Sequence, residues 1–295
     1  MRALISHHLL WLSVACSVAA FAIARASGGP LELVVTLSSV AVLTIAALLE
    51  RVMPFRRDWN RSVGDARTDL ASTAVLIGAV DPLLKAALPV AVVALWPTTA
   101  HADGALRVVS AIPFAGQVLA ALLWIELAKY ASHRWHHHSR KLWWLHALHH
   151  SSERLYTLNG FRFHPINHAI NQVLAMGPLL VLGVPADVLL ACLAITQPVL
   201  MLQHANIDLR SGWLNHVFSS NEAHRWHHSN RASQANCNFG GAFLLWDHVF
   251  GTYRAADTVR GPAAIGLFGD GGRYPATRGY LAQLGSMFGP TCCRA

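Results

Sequence analysis

Histidine is concentrated in one part of this chain. Fourteen of the 18 histidines lie between His133 and His228, in less than a third of the length. They form three clusters, HRWHHH from His133, HALHH from His146 and HRWHH from His224. Imidazoles recur in these clusters at i and i+4, or at i, i+3 and i+4, spacings that bring side chains to one helix face. Neutral imidazole binds iron, zinc, copper and nickel, so the pattern predicts a metal site.

The clusters supply more nitrogen donors than one metal ion uses. Eight imidazoles occur at ligand spacing, whereas an ion of this kind binds about four to six ligands. A single cluster is also compatible with a solvated helix face, but three clusters together favour ligation. The sequence therefore predicts a site for two metal ions, with HxxHH donors on one face of each helix. The predicted ligands are His133, His137, His146, His149, His150, His224, His227 and His228.

Other residues near the clusters are candidates for supporting roles. His204 follows a long apolar stretch and is predicted as a ninth ligand. Glu126 and Tyr130 precede the first cluster at helical spacing, on one polar stripe, and are predicted to support the ligands without binding metal. The remaining histidines are expected to be structural or solvated groups: His7, His8, His101, His136, His138, His164, His168, His216 and His248.

The kind of metal depends on which motifs the sequence lacks. Zinc hydrolases usually supply three protein ligands, often from an HExxH motif, and this chain contains none. The five cysteines show no CxxC spacing, which argues against an iron–sulfur or thiolate-bound copper site. Two iron ions that activate dioxygen fit the donor set best, and zinc is retained as a substitute.

The composition is too apolar for an ordinary soluble domain. Hydrophobic residues make up 54% of the chain and charged residues 13%, whereas charged residues are about a quarter of a typical soluble protein. The net charge of +8 could suggest nucleic acid, but Lys and Arg are scattered among apolar segments of membrane length. Basic residues in that setting contact lipid headgroups. We therefore expect an all-α integral membrane protein that does not bind nucleic acid.

Apolar segments predict four to six transmembrane or re-entrant helices. Four segments are expected to cross the membrane: residues 9–24, Leu31–Leu49, Leu70–Trp96 and Ala111–Ala131. The first is expected to be a retained helix rather than a cleaved signal peptide. A fifth segment, Ile170–Gln203, is broken by Pro178, Gly183 and Pro185 into halves that are short for a crossing. We interpret it as a hairpin that dips into the membrane and returns.

Charge predicts which side of the membrane carries the histidines. The segment Arg51–Asp69 contains five arginines and is assigned to the cytoplasm by the positive-inside rule. Ala111–Ala131 returns the chain to that side, and Pro97–Ser110 is expected on the outer side. The clusters then form a cytoplasmic helical cap that holds the active site. Asp81 and Lys85, one turn apart in the third span, are expected to pair inside the bundle.

Further motifs surround the clusters in a fixed order. Glu126-x3-Tyr130-x2-His133-Arg134 leads into the first cluster, and Arg162-Phe163-His164-Pro165 follows the second. Asn238-Phe239-Gly240 and Trp246-Asp247-His248-Val249-Phe250-Gly251-Thr252-Tyr253 come after the third. Together these motifs resemble the membrane-bound fatty acid hydroxylase and sterol desaturase superfamily, over roughly residues 50–253.

The resemblance implies a membrane enzyme with a histidine-ligated di-iron centre at the cytosolic face. Members use dioxygen and electrons to hydroxylate or desaturate C–H bonds of lipids, so a fatty acyl chain, sterol or isoprenoid from the bilayer is the expected substrate. It also implies that the eight cluster histidines and His204 are ligands. Leu200 stands where some members have another histidine, so the ligand set can differ there.

The resemblance also suggests how the chain is divided into parts. Residues 1–50 are expected to form N-terminal membrane helices, and residues 51–253 the catalytic domain with its cap. Residues 254–295 are expected to be a tail with one short helix near Tyr280–Phe288. Because no cytochrome or flavin domain is recognisable, electrons are expected from a separate cytochrome, ferredoxin or reductase.

Two other functions are compatible with these residues. The first is a pterin-dependent ether-lipid (alkylglycerol) monooxygenase, which hydroxylates beside the ether oxygen. The second belongs to another class, a non-catalytic membrane protein that binds or transports metal. Transport needs ionisable residues along a path through the spans, and Asp81 and Lys85 are nearly the only ones expected at depth. Oxygenation is therefore favoured.

Overall fold

A computed structural model describes residues 1–95, 111–256, 261–268, 273–289 and 292–293. Its helices are α1 (Arg2–Ala26), α2 (Leu31–Val52), α3 (Ala66–Val75), α4 (Asp81–Leu95), α5 (Phe114–His138), α6 (Arg140–His150), α7 (Pro165–Val181), α8 (Ala186–Gln203), α9 (Asn221–His227), α10 (Ala232–Ala235), α11 (Leu245–Val249) and α12 (Tyr280–Gly285). A wider π-helical turn, Leu76–Val80, joins α3 to α4. The described residues contain no β-strand, which confirms the predicted all-α class.

Five helical segments are long and apolar enough to cross a membrane. They are Arg2–Ala26, Leu31–Val52, Ala66–Leu95, Phe114–His138 and Ala186–Gln203. Large apolar side chains on their outer surfaces, such as Leu33, Leu37 and Val90, are exposed, as expected for contact with lipid tails. The chain is a multi-pass membrane protein, as predicted. The predicted outer loop Pro97–Ser110 lies outside the described residues.

The helices connect alternately at two ends of the bundle. One end holds the turn between α1 and α2 and the turn between α7 and α8, which Arg25 and Asp187 join through a 3.0 Å ion pair. The opposite end holds the C-terminal ends of α2, α5 and α8. There the segment after α2 packs on the segment after α8, since Phe55 N donates to Asn206 O at 3.1 Å. All three histidine clusters lie at this second end, which we call the cap end.

The helix α8 is central and differs from its prediction. It packs against α1, α2 and α5, and the small buried residues Ala191 and Ala194 allow close helix approach. Pro178 and Pro198 lie inside helices, and the chain reverses at Gly183, whose φ of 68° suits glycine. With 18 residues, α8 is itself long enough to cross. The expectation that both halves of Ile170–Gln203 are too short to cross the membrane is therefore wrong for α8. The hairpin nevertheless returns to the cap end, as predicted.

The predicted pairing of Asp81 with Lys85 is also wrong. Asp81 Oδ1 lies 2.6 Å from His168 Nε2 of α7, and Lys85 Nζ lies 3.7 Å from Glu32 Oε1 of α2. The side chains of Lys85 and Glu32 are both 74% exposed. Residues four apart share a helix face, but each side chain here reaches toward a different neighbouring helix.

Buried charges join the arginine-rich segment to the cap. Arg154 donates from Nε to Asp65 Oδ2 at 2.7 Å and from Nη2 to Asp65 Oδ1 at 2.9 Å. This guanidinium holds the pKa of Asp65 below its usual value although burial opposes the shift.

The predicted C-terminal helix is confirmed as α12, followed by the 3-10 turn Ser286–Phe288. The segment before it contributes Phe268, whose ring lies 4.3 Å from that of Trp143 over the histidines.

Candidate metal centre

Four elements deliver the predicted ligands to the cap end. The last turns of α5 carry His133 and His137, and α6 carries the HALHH cluster. His204 follows the last residue of α8. The third cluster lies on the short helix α9 and the residue after it; Ser220 precedes this helix, and its side chain caps the helix by accepting a hydrogen bond from Ala223 N.

The nine predicted histidines lie in two adjoining groups. Possible donor atoms within each group are all within 4.8 Å of one another. The first group contains His133, His137, His146, His150 and His227, and the second contains His149, His204, His224 and His228. The rings of His150 and His228, one from each group, are stacked at 4.5 Å, so the groups share a boundary.

The second and third clusters each divide their histidines between the two groups. α6 gives His146 and His150 to the first group and His149 to the second, whereas α9 gives His224 and His228 to the second group and His227 to the first. The expectation that the three donors of a cluster serve one face is therefore wrong. Consecutive residues are about 100° apart around a helix, so the fourth and fifth residues of a cluster point to different sites.

Hydrogen bonds orient most of these imidazoles with Nε2 toward the centre of their group. Their Nδ1 atoms lie at hydrogen-bond distance from backbone or asparagine oxygens. The pairs are His133 with Phe239 O (2.8 Å), His137 with Asn236 Oδ1 (3.2 Å), His146 with Asn167 Oδ1 (2.9 Å), His149 with Arg162 O (3.2 Å), His204 with Asn159 Oδ1 (2.9 Å) and His227 with Cys237 O (2.9 Å). An imidazole that donates from Nδ1 keeps its Nε2 lone pair for a metal.

The distances between Nε2 atoms within each group fit a bound cation. Nε2 of His146 lies 3.0 Å from Nε2 of His133 and 3.2 Å from that of His150. In the second group, Nε2 of His224 lies 3.1 Å from that of His204 and 3.0 Å from that of His228. Two ligands about 2.1 Å from one ion and at right angles would be separated by about 3.0 Å.

Two further nitrogens of the first group support this fit. Nε2 of His137 and Nε2 of His227 are buried and have no hydrogen-bond partner among the described residues. An orphaned buried donor or acceptor costs about 1–3 kcal/mol, and ligation removes that cost. The residues present therefore suit two metal ions held by neutral nitrogen donors.

Burial keeps the imidazoles outside the membrane spans neutral. Desolvation, reinforced by neighbouring imidazoles, holds the pKa of six of them well below 6.5; they are His146, His149, His150, His224, His227 and His228. Desolvation lowers the pKa of His204 to about 3. Neutral imidazole is the form that binds metal, so these groups need not release a proton at neutral pH.

Glu126 lies behind the centre and contacts no histidine of either group. It is 2% exposed, and its Oε2 accepts hydrogen bonds from Ala242 N at 2.8 Å and Phe243 N at 2.9 Å. Glu126 thus holds the turn that follows Phe239, the residue whose carbonyl orients His133. The supporting role predicted for it stays a prediction.

Tyr130 acts on the same turn through a chain of hydrogen bonds. Its hydroxyl lies 3.0 Å from Thr252 Oγ1, which donates to Asp247 Oδ1 at 2.7 Å. Asp247 accepts from Phe239 N and Gly240 N, both at 2.8 Å. Sequence reasoning assigned no role to Asp247, although it lies within the closing motif. Its place as the single acidic residue of that largely apolar motif is the signal that was available.

Arg162 is a second residue whose role was not predicted. It is 1% exposed and donates to Asp69 Oδ1 at 2.8 Å, Leu148 O at 3.0 Å and Ser151 Oγ at 2.8 Å. Its own carbonyl oxygen orients His149. Arg162 therefore ties α6 to α3 and positions one histidine of the second group.

Removing the Glu126 carboxylate is expected to destabilise the protein. Glu126→Ala leaves the N–H groups of Ala242 and Phe243 without an acceptor, and we expect the free energy of unfolding to fall by about 2–4 kcal/mol. Glu126→Gln retains an acceptor oxygen and should cost less. Thermal unfolding in detergent micelles measures both, with the exposed Glu153→Ala as control. Equal stability of Glu126→Ala and the control would contradict this role.

A cavity of about 320 Å³ leads from the bundle to both groups. Six histidines line it: the predicted ligands His133, His146, His149, His204 and His224, and also His168 of α7. Farther into the bundle it is lined by apolar residues of α5, α7 and α8, among them Ile125, Ala175, Met176, Leu189 and Leu193. A largely apolar space therefore reaches both histidine groups from within the helix bundle.

Comparison with known proteins places the chain in a family. A family model described as fatty acid hydroxylase matches residues 118–252, which include all nine histidines. Ornithine lipid hydroxylase OlsE of Rhizobium tropici is 35% identical over 262 residues, covering 86% of this chain and 75% of that protein. This chain belongs to the fatty acid hydroxylase family. It is thus a membrane oxidoreductase of a lipid-hydroxylating family, and the resemblance seen in its motifs is confirmed.

Other relatives within this broader hydroxylase group match a shorter part. Alkylglycerol monooxygenases of Caenorhabditis elegans and Danio rerio are 27% and 26% identical over 134 and 133 residues. Each match covers 45% of this chain, but only 26% and 29% of those proteins. No solved structure matches the chain.

Proposed function

We propose that this fatty acid hydroxylase family member is a di-iron lipid hydroxylase, with one iron in each histidine group. The observation that carries the proposal is the convergence of nine histidines, in two groups, on the cap end of an apolar cavity. When bound, the irons would supply activation of dioxygen and removal of hydrogen from an unactivated C–H bond. Zinc is the alternative metal, although it has no redox chemistry.

The residues of the chain would position the ligands and exclude water. Asn159, Asn167 and Asn236 accept hydrogen bonds from three ligands and fix the direction of their Nε2 atoms. Trp143 and Phe268 cover His137 and His150 with aromatic rings. The cavity would hold the lipid with its reacting carbon toward His133 and His149. Protection from water matters because a reactive oxidant is otherwise consumed in side reactions.

The substrate we propose is a polar membrane lipid of the ornithine-lipid kind. The relative that shares most of this chain is named for that substrate, and the cavity combines an apolar bundle end with polar side chains. Dioxygen and electrons from a separate cytochrome, ferredoxin or reductase complete the reaction. Desaturation shares the first hydrogen abstraction and is the nearest alternative outcome.

The cap end is proposed to face the cytoplasm. The arginine-rich segment lies there, and the positive-inside rule assigns such segments to the cytoplasm. The proposed catalytic unit is residues 51–253, with residues 1–50 as supporting membrane helices and residues 254–295 as a tail. α1 and α2 pack on α8, so the supporting helices would brace the hairpin that carries His204.

The alternatives receive less support from the described residues. Ether-lipid cleavage is the function named for the relatives that share about 45% of this chain. Metal transport is the named function of none of these relatives, and Ile125, Leu189 and Leu193 of the cavity offer no ligand atoms to a metal ion. The proposal therefore remains hydroxylation.

Isotopic labelling of cellular lipids tests the proposed activity. Cells that express the chain and cells that lack it are grown under ¹⁸O-labelled dioxygen, and their lipids are compared by mass spectrometry. We expect one lipid class to acquire a labelled hydroxyl group only when the chain is expressed, and the label to disappear in His227→Ala. Iron movement across vesicles carrying the protein, without label in any lipid, would favour transport and contradict the proposal.

A further inference from the structure

A lysine lines the cavity close to the histidines. Lys129 lies on α5, within a membrane-spanning segment, four residues before His133. Residues at this spacing lie on one helix face, with Cβ atoms about 6 Å apart. Lys129 therefore places a positive charge one turn deeper in the bundle than a predicted ligand. The sequence pattern did not single it out.

Lys129 forms no direct ion pair in the described part of the chain, although the buried carboxylate of Glu126, one turn earlier on α5, lies close enough to interact with it electrostatically. The side chain of Lys129 is partly buried and makes neither a hydrogen bond nor an ion pair with any described residue. A charged side chain within a membrane span is costly, and such residues usually mark a substrate or ion pathway. Because Lys129 lines the cavity and has no direct hydrogen-bond or ion-pair partner, its ammonium group remains available to an anionic group of a ligand.

The surroundings of Lys129 direct it toward the cavity. A Cβ atom added at Gly241 would lie 2.9 Å from Lys129 Cδ, so the lysine side chain passes closely over this glycine. The carboxylate oxygens of Glu126 would lie 3.2 and 3.3 Å from the same added Cβ atom, and Oε2 already accepts two backbone hydrogen bonds. Glu126 does not line the cavity, whereas Gly241 and Lys129 do.

Two amides extend the polar part of the cavity. Gln172 of α7 and Gln197 of α8 both line it, and neither makes a hydrogen bond with another described residue. An amide in an apolar space costs free energy unless it finds a partner. A cavity meant only for hydrocarbon would not present a cation and two unpaired amides. These groups match the headgroup of a polar lipid.

We propose that Lys129 binds the acidic group, a carboxylate or a phosphate, of the lipid that enters this cavity. Gln172 and Gln197 would supply hydrogen bonds to the rest of the headgroup. The inference rests on the proposed function only in taking the lipid to be the substrate. It adds that the headgroup itself enters the cavity and that its negative charge selects the lipid.

A binding measurement tests this proposal without turnover. Purified protein in neutral detergent, kept without an electron donor, is titrated with three lipids of equal chain length: a carboxylate-bearing ornithine lipid, phosphatidic acid and uncharged diacylglycerol. Lys129→Met keeps an unbranched stem and removes the charge. We expect it to bind the preferred acidic lipid at least about thirtyfold more weakly, because truncating one partner of a desolvated charge pair has that effect. Its affinity for diacylglycerol should not change.

Two controls separate recognition from folding. Lys85→Met removes a lysine of α4 that is 74% exposed and does not line the cavity, and it should bind like the unmodified protein. Lys129→Arg keeps the charge and should retain most of the affinity for the acidic lipid. The acidic lipid with the larger dependence on Lys129 identifies the carboxylate or the phosphate as the bound group.

The outcomes also separate this inference from the proposed function. Equal binding of acidic and uncharged lipids by the unmodified protein, or unchanged affinities in a folded Lys129→Met, would overturn the role of Lys129. Lys129-dependent binding in a protein that labels no lipid would leave the inference standing and remove the proposed hydroxylation. Full labelling of the lipid product in Lys129→Met would leave the proposed hydroxylation standing and remove the role of Lys129.

Discussion

His149→Ala and His227→Ala are each expected to abolish stable iron binding at one group and to abolish activity. The two residues belong to clusters whose other members serve the opposite group, so each substitution removes one donor from a different site. Loss of partners that only orient a ligand typically costs about 10–100-fold in affinity or activity. Loss of the ligand itself should cost more, and we expect at least about a hundredfold decrease in lipid hydroxylation.

The first cluster offers a matched control. His138 is exposed, and its Nδ1 bonds to Arg134 O within its own helix. His138→Ala should therefore keep its iron and its activity, although it removes an imidazole next to His137. Iron per chain is measured by elemental analysis, and hydroxylation by product mass. Retention of two irons in both His149→Ala and His227→Ala would contradict the ligand assignment.

Arg162→Met is expected to cause the largest loss of stability. The Arg162–Asp69 pair is buried, with side chains 1% and 0% exposed, and removing one partner of such a pair costs about 3–5 kcal/mol. The substitution also removes donors to Leu148 O and Ser151 Oγ at the end of α6. Because the carbonyl of Arg162 orients His149, iron in the second group should be lost before iron in the first.

An exposed pair provides the comparison for Arg162. Arg56 and Asp58 are 38% and 60% exposed, and such pairs contribute about 0–1 kcal/mol. Arg56→Met should therefore leave the midpoint of thermal unfolding in detergent micelles nearly unchanged, whereas Arg162→Met lowers it strongly. Similar midpoints for the two variants would show that the buried network does not hold the cap together.

Local patterns predicted the parts of this protein that depend on helical spacing. The recurrence of histidine at i and i+4 depends only on neighbouring residues, and all nine predicted histidines lie in the two groups. The division of the second and third clusters between the groups was missed. Spacing shows that His149 and His150 face different directions, but only the tertiary structure shows that the ring of His149 lies near those of His204 and His228, and that of His150 near His227.

Other features depend on contacts between distant residues and have no local signal. The sequence around a single asparagine, such as Asn159 or Asn167, does not show that its side chain will accept a hydrogen bond from a predicted ligand. Asp81 and Lys85 have the spacing of an ion pair, yet each has a closer partner on another helix. No sequence pattern singled out Lys129, and its position becomes visible only when α5, α7 and α8 enclose a cavity.

The iron content of the purified, active protein tests the central claim most directly. Elemental analysis of protein prepared in neutral detergent, with chain concentration determined by amino-acid analysis, gives the number of metal ions per chain. Two histidine groups predict two irons per chain in the preparation that hydroxylates lipid. An active preparation with one iron per chain, or with zinc in place of iron, would contradict the di-iron account.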